Sequence, residues 1–275
     1  MFEIIELKRL LKTHKINPTK KLGQNFLINQ DIAYQMVMSL SNINNSNIIE
    51  VGPGVGVLTS VLLKRDLKSL TVIEMDKRFL PILEKIRSQT SKSFHIINAN
   101  ALKIVEEDII DERYKIIANL PYNIGTLLLV KWLKKISLID EIVIMLQKEV
   151  ANRVLARAGT SDYGRLSVLA QYVCNCEKLF DVAPENFSPI PKVNSSVIKL
   201  TPKISRIKLN NIDKIEKVCK ITFNLRRKKI KKSLEQLFSN PKNELETIGI
   251  DYNKRPDALS IYEFYKISCI MSRID

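Results

Sequence analysis

Asn47-Ile48-Ile49-Glu50-Val51-Gly52-Pro53-Gly54-Val55-Gly56 passes from a short β-branched run into a glycine-rich turn, and Leu58 to Leu63 behind it has helical spacing. Strand, tight turn and helix together open a parallel sheet covered by helices, and the glycines let a ligand approach the backbone. The alternation continues downstream. It predicts strands near 47–51, 70–74, 94–97, 115–119 and 141–146 and a helix over Leu166 to Val173. Two later strands, Cys174 to Val182 and Val193 to Leu200, are expected to close the sheet antiparallel. The expected fold class is α/β, a Rossmann-like sheet that is mostly parallel with an antiparallel final strand. After Pro202 the pattern changes to lysine-rich helical spacing in Ile212 to Phe223, Arg226 to Phe238 and Ile261 to Met271. Two domains follow from this, 1–202 on the sheet and 203–275 as a small all-helical domain.

Polar residues gather where the strands end. The glycine turn is not the G-x-G-x-x-G of dinucleotide binding, because Glu50 and Pro53 give it another shape. Val72-Ile73-Glu74 ends the second strand in a carboxylate, 22 residues after Gly52, placed to accept both hydroxyls of a ribose. The same pair of features would serve NAD, so an oxidoreductase is a competing reading. Asn98-Ala99-Asn100-Ala101 follows the third strand, with Asn100 placed for an adenine edge. Asn119-Leu120-Pro121-Tyr122 ends the fourth. Pro121 biases Leu120 toward extended backbone, which presents the Asn119 side-chain carbonyl and the Leu120 main-chain carbonyl as paired acceptors for an exocyclic amino group. Tyr122 adds a stacking face. Alone, the tetrapeptide reads equally as a strand and a proline turn. Four such strand ends converge on one crevice, where open α/β sheets bind ligands.

Composition narrows the partners. The chain has 275 residues with 44 Lys and Arg against 29 Asp and Glu, a net charge of +15. Such an excess repels itself in a compact fold unless a polyanion lies against it, and nucleic acid is the leading candidate. No run reaches the roughly 18 apolar residues of a membrane span, and the N-terminus lacks the order of a signal peptide, so a cytoplasmic location is expected. Four cysteines and two histidines, His14 and His95, show neither disulfide nor metal-site spacing. Chemistry without metal or imidazole is expected.

With these residues in view, the chain resembles the S-adenosylmethionine-dependent ribosomal RNA adenine dimethyltransferases over nearly its whole length. The resemblance rests on E-V-G-P-G-V-G and N-L-P-Y-N-I together with Gly23-Gln24-Asn25-Phe26-Leu27 and Leu146-Gln147-Lys148-Glu149-Val150. Tyr163-Gly164-Arg165-Leu166-Ser167 and Phe187-Ser188-Pro189-Ile190-Pro191-Lys192-Val193 complete it. It looks closest to the small-subunit branch, the kasugamycin-sensitivity enzymes that dimethylate two adjacent adenines in the 3′-terminal hairpin of 16S rRNA within the 30S subunit. The resemblance implies a class I methyltransferase sheet and S-adenosylmethionine as cofactor. It implies that Asn25, Leu27 and Asn119 line the cofactor site, that Gly52 and Gly54 pass close to the methionine part, and that Glu74 holds the ribose. Asn100 and Asn194 stand where the family usually has aspartate. At Asn100 the amide keeps a carbonyl for the adenine amino group but loses the charge.

The implied chemistry needs no base. Asn119 and Leu120 would accept from the adenine NH2 and turn its nitrogen lone pair toward the methyl donor, and the proton would leave after transfer. Tyr122 and Phe187 would clamp an adenine taken out of its stack, Phe187 being expected as an exposed ring on a proline-rich loop. Phosphate contacts are expected from Lys20-Lys21, from Lys148, Arg153 and Arg157, and from the run 224–232, which includes Arg226, Arg227 and Lys228. A catalytically inert RNA-binding factor is the remaining alternative.

Overall fold

The computed structural model describes residues 24–203 and 211–271. His14 and Lys20-Lys21 lie outside them. The strands are β1 (Phe26–Leu27), β2 (Asn47–Val51), β3 (Ser69–Glu74), β4 (Phe94–Asn98), β5 (Tyr114–Asn119), β6 (Ile139–Gln147), β7 (Cys174–Val182), β8 (Phe187–Ser188) and β9 (Ser195–Pro202). The helices of four or more residues are α1 (Gln30–Met38), α2 (Val57–Leu62), α3 (Leu80–Ser88), α4 (Gly125–Lys134), α5 (Lys148–Leu155), α6 (Arg165–Val173), α7 (Ile212–Asn224), α8 (Ile230–Leu234), α9 (Pro241–Thr247) and α10 (Ile261–Met271). Seven strands form one sheet in the order β4-β3-β2-β5-β6-β9-β7, and β1 pairs with β8 separately.

β2, β3, β4, β5 and β6 run parallel, and β9 returns antiparallel against β6. All five residues of β2 are buried. Burial on both faces suits Ile48, Ile49 and Val51, which do not alternate with exposed polar residues as they would on a half-solvated sheet. The last strand in sequence is inserted between β6 and β7, so the closing strands are spatially out of chain order.

The described residues divide into two compact units, one holding 24–131, 135–151 and 177–202, the other 132–134, 152–176, 203 and 211–271. Residues 152–176, expected with the first domain, group with the C-terminal helices. Within this second unit α7 buries Ile212, Ile215, Val218, Cys219 and Thr222, the spacing of one helical face. Phe223 stacks on Phe264 at 5.6 Å and meets Tyr163 edge-on at 6.2 Å, so the segment before α6 is tied in by aromatic packing that polar loop composition conceals. The helix expected over Arg226 to Phe238 is cut down to Ile230–Leu234. Lys229 is extended, with ψ of 144°, and the preceding like charges would oppose one another one turn apart on a helix.

Candidate active site

The carboxyl ends of β2 and β5 lie side by side, with β3 and β4 beyond one and β6 beyond the other. This reversal of strand order is where an open sheet leaves a crevice. The cavity there, within the first unit, is lined by Asn25, Leu27, Gly52, Gly54, Glu74, Asn100 and Asn119 among others. These are the seven residues expected around a cofactor.

The turn after β2 is compressed from two sides. Gly54 and Gly56 have φ of 53° and 81°. A Cβ would stand 3.2 Å from the Phe26 ring at the first and 2.6 Å from Ile86 Cδ1 at the second. Glu74 holds the same turn: its Oε2 accepts the Gly54 N–H at 3.1 Å and its Oε1 the Asp76 N–H at 2.8 Å. Burial raises the Glu74 carboxyl above its ordinary value while these backbone bonds oppose the rise. Each carboxylate oxygen keeps a further lone pair for a hydroxyl.

Asn100 departs from its expected role in part. Its carbonyl accepts the Leu102 N–H at 3.0 Å and caps the turn Ala101–Lys103, so the oxygen expected to serve an adenine amino group is already engaged. One lone pair remains, and the amide NH2 adds donors to this wall. Asn119 Nδ2 donates to the Asn25 carbonyl at 3.5 Å, which leaves Oδ1 as its acceptor. The Leu120 side chain is buried, and its N–H donates to Met145. The Tyr122 hydroxyl bonds Ser195 Oγ at 2.9 Å, and burial raises its pKa. Leu120 and Tyr122 are not part of the cavity wall.

Phe187 is not the exposed ring expected. It is 1 % exposed and packs in the core with Phe26, Leu27 and Val182. Leu27 pairs with Phe187 and Phe26 with Ser188 in the two-residue ladder of β1 and β8. The flanking prolines mark a loop, yet this ladder folds the ring inward and seats the segment that carries Asn25 and Leu27.

Two features of the wall escaped the sequence. Gln24 donates to Asp76 Oδ2 at 2.9 Å, and Arg78 Nη2 meets the same oxygen at 2.6 Å. Arg78 first, then Gln24, holds the Asp76 carboxyl down to about 2 against the effect of burial. Glu50 is 1 % exposed at the end of β2. Its Oε2 accepts from Thr59 Oγ1 at 2.6 Å, while Oε1 is buried with no partner. Burial pushes this carboxyl up to about 8, with Thr59 opposing and Glu74 adding to the rise. A buried orphan carboxylate oxygen on a cavity wall asks for a cation or a donor.

A family model described as ribosomal RNA adenine dimethylase matches residues 15–273. The chain belongs to that family. It is 43% identical over 258 residues to the ribosomal RNA small subunit methyltransferase A of Ehrlichia ruminantium, covering 94% of this chain and 98% of that protein. With the protein of the same description from Wolbachia of Brugia malayi it shares 39% identity, over 92% of this chain and 97% of the other. The crystal structure of a dimethyladenosine transferase from Plasmodium falciparum is similar with a TM-score of 0.78 at 26% identity, covering 89% of this chain and 96% of that one. The fold is also that of the 23S rRNA methyltransferase ErmE, TM-score 0.66 at 21% identity over 90% of this chain and all of the other. Membership makes the protein a methyltransferase of ribosomal RNA adenine and removes the oxidoreductase reading.

The basic residues expected on RNA fall in both units. Lys148 opens α5 in the first unit and bonds Asp181 at 2.9 Å. Arg153, Arg157, Arg227 and Lys228 are exposed in the second unit. Arg226 is half-buried, donating to the Thr160 carbonyl at 3.2 Å and facing Asp257 at 3.7 Å. Among the described residues no group of three or more His, Cys, Asp or Glu is placed to hold a metal.

Proposed function

We propose that this dimethylase binds S-adenosylmethionine in the cavity between the β2 and β5 loops and dimethylates the exocyclic amino groups of two adjacent adenines in the 3′-terminal hairpin of 16S rRNA, within the small ribosomal subunit or its precursor in the cytoplasm. The observation that carries this reading is the convergence of the glycine turn, Glu74 and Asn119 on one cavity. The residues fit such a cofactor: the Glu74 oxygens keep lone pairs for ribose hydroxyls, Asn100 offers both donor and acceptor to an adenine, and the orphan oxygen of Glu50 suits an α-ammonium group. When bound, the cofactor supplies an electrophilic methyl group.

The rest of the chemistry belongs to the chain. An adenine amino nitrogen is a poor nucleophile because its lone pair is delocalised into the ring. Asn119 Oδ1 and the Leu120 carbonyl accept its two hydrogens, favour a pyramidal nitrogen and localise the lone pair toward the donor. Neither takes the proton; an amide is not basic near neutral pH, so the proton leaves once the nitrogen has become cationic. Positioning and electrostatics supply the rate. Tyr122 stacks on one face of the displaced base, its ring held by the bond to Ser195. Lys148, Arg153, Arg157, Arg226, Arg227 and Lys228 meet phosphates. Phe187 acts from the core, seating the strand that brings Leu27 to the cavity.

Asn119→Ala is expected to fold and bind cofactor yet lose methyl transfer, by at least the 10²-fold typical of a lost electrostatic contact to the reacting group. Labelled methyl transfer onto unmethylated 30S subunits, with the modified nucleotides mapped, tests both statements. Full activity of the variant would remove Asn119 from the mechanism, and wild-type transfer to other nucleotides would overturn the substrate assignment.

A further inference from the structure

Two segments prominent in the sequence, Leu146–Val150 and Phe187–Val193, have no side chain assigned to the reacting base beyond those already named. The structure brings them together. Gln147, Lys148, Pro184, Lys192, Val193 and Asn194 line a second cavity of about 390 Å³, within the range of small-ligand sites. The Lys148 N–H donates to the Asn194 carbonyl at 2.9 Å, and Gln147 lies opposite Ser195 in the β6–β9 ladder. This places the cavity beside the target site. Ser195 is the residue that holds the Tyr122 hydroxyl. Across the sheet, Asn119 faces Met145 on β6, and Gln147 lies two residues further along; with ordinary strand spacings, the two sites are about 8 Å apart.

The lining is chemically specific. Gln147 and Asn194 each carry an amide that offers a donor and an acceptor side by side, the pattern that pairs with the N6/N7 edge of adenine. Lys192 brings an ammonium group suited to phosphate, and Lys148 a second, which a phosphate would share with or take from Asp181 at 2.9 Å. Val193, 45% exposed, and Pro184 add an apolar surface for a base face. Glu149 on the same wall disfavours an isolated free anion and favours a ligand that presents a base as well as a phosphate.

We infer that this second cavity holds the nucleotide covalently adjacent to the adenine under methylation, with Gln147 and Asn194 reading its purine edge and Lys148 and Lys192 on its phosphates. The inference rests on the proposed reaction for its choice of RNA. It makes the neighbour of the target a part of recognition: when one of two adjacent adenines enters the catalytic site, the other is measured here.

Binding, rather than turnover, decides the matter. The probe is a short hairpin RNA with two adjacent adenines in its loop, compared with the same hairpin in which one of the two is replaced by uracil, at fixed salt. The wild-type protein is expected to bind the two-adenine hairpin roughly tenfold more tightly, the scale of one amide-to-adenine contact. The double variant Gln147→Leu/Asn194→Ala is expected to lose that preference while its affinity for S-adenosylhomocysteine is unchanged. Lys192→Ala should weaken both hairpins alike. Equal wild-type affinity for the two hairpins overturns the inference, as does a double variant that keeps the preference. Absence of methyl transfer in a parallel assay would instead count against the proposed function, and leaves this comparison intact.

Discussion

Glu50→Gln tests the charge on the cavity wall. Burial pushes the Glu50 carboxyl up to about 8, so without a ligand at pH 7 only a minority of molecules, on the order of a tenth, carries the ionised form. A ligand whose ammonium pairs with Glu50 selects that fraction, and its apparent affinity is reduced by the same factor. Affinity should therefore rise about tenfold per pH unit between pH 6 and 7, with close to one proton released per molecule bound. S-adenosylhomocysteine keeps the ammonium and lacks the reactive methyl, which suits it to calorimetry in two buffers of different ionisation enthalpy. The glutamine keeps an acceptor for Thr59 and cannot ionise, so its affinity should be flat over this range and its binding free of proton release. Folding itself carries the same signature. Its Glu50 value lies above the ordinary 4.5, so the folded state holds an extra proton between 4.5 and about 8, and stability falls as pH rises through that window. The rise from the ordinary value to about 8 sets a ceiling of roughly 5 kcal/mol, and Glu50→Gln should overtake the wild type in unfolding midpoint as pH is raised. Wild-type binding without proton release, or an unchanged pH slope in the variant, would refute the pairing.

Three further outcomes follow from the geometry. Gly56→Ala forces a side chain into a left-handed backbone and against Ile86, and denaturant unfolding should show a loss of about 2–4 kcal/mol. Asn100→Asp replaces a neutral cap of Leu102 with a charged one; it should tighten S-adenosylhomocysteine binding a few-fold by strengthening the turn that lines the cavity, as measured by titration at constant pH. Arg227→Ala with Lys228→Ala removes two exposed cations, and a plot of log affinity for RNA against log salt should lose about two units of slope if each meets a phosphate.

The parallel sheet was legible because its strands are buried on both faces and therefore spell themselves as β-branched runs, β2 and β5 most clearly. The cavity was legible in part because four of its wall residues, Gly52, Glu74, Asn100 and Asn119, sit at or just after strand ends, where polarity or glycine interrupts such a run. Features set by long-range pairing were not. Prolines around Phe187 describe the local backbone, but its burial depends on Phe26 and Leu27, over 150 residues away. The grouping of residues 152–176 with the C-terminal helices depends on Tyr163 finding Phe223. Gln24 and Asp76 form a contact that no periodicity marks. Glu50 was read as part of a turn's shape, since a sequence shows a carboxylate but not the absence of a partner for one of its oxygens.

The ladder between β1 and β8 also bears on synthesis. Phe26 pairs with Ser188, so the segment presenting Asn25 and Leu27 lacks its strand partner until residue 188 has left the ribosome. At about 5–20 residues per second, that interval lasts roughly 8–32 s. An N-terminal portion of the nascent chain can build β2 to β5 and still lack the pairing that fixes one wall of its cavity. The enzyme proposed to modify new ribosomal subunits thus completes the support of its own ligand site only after most of its chain has been made.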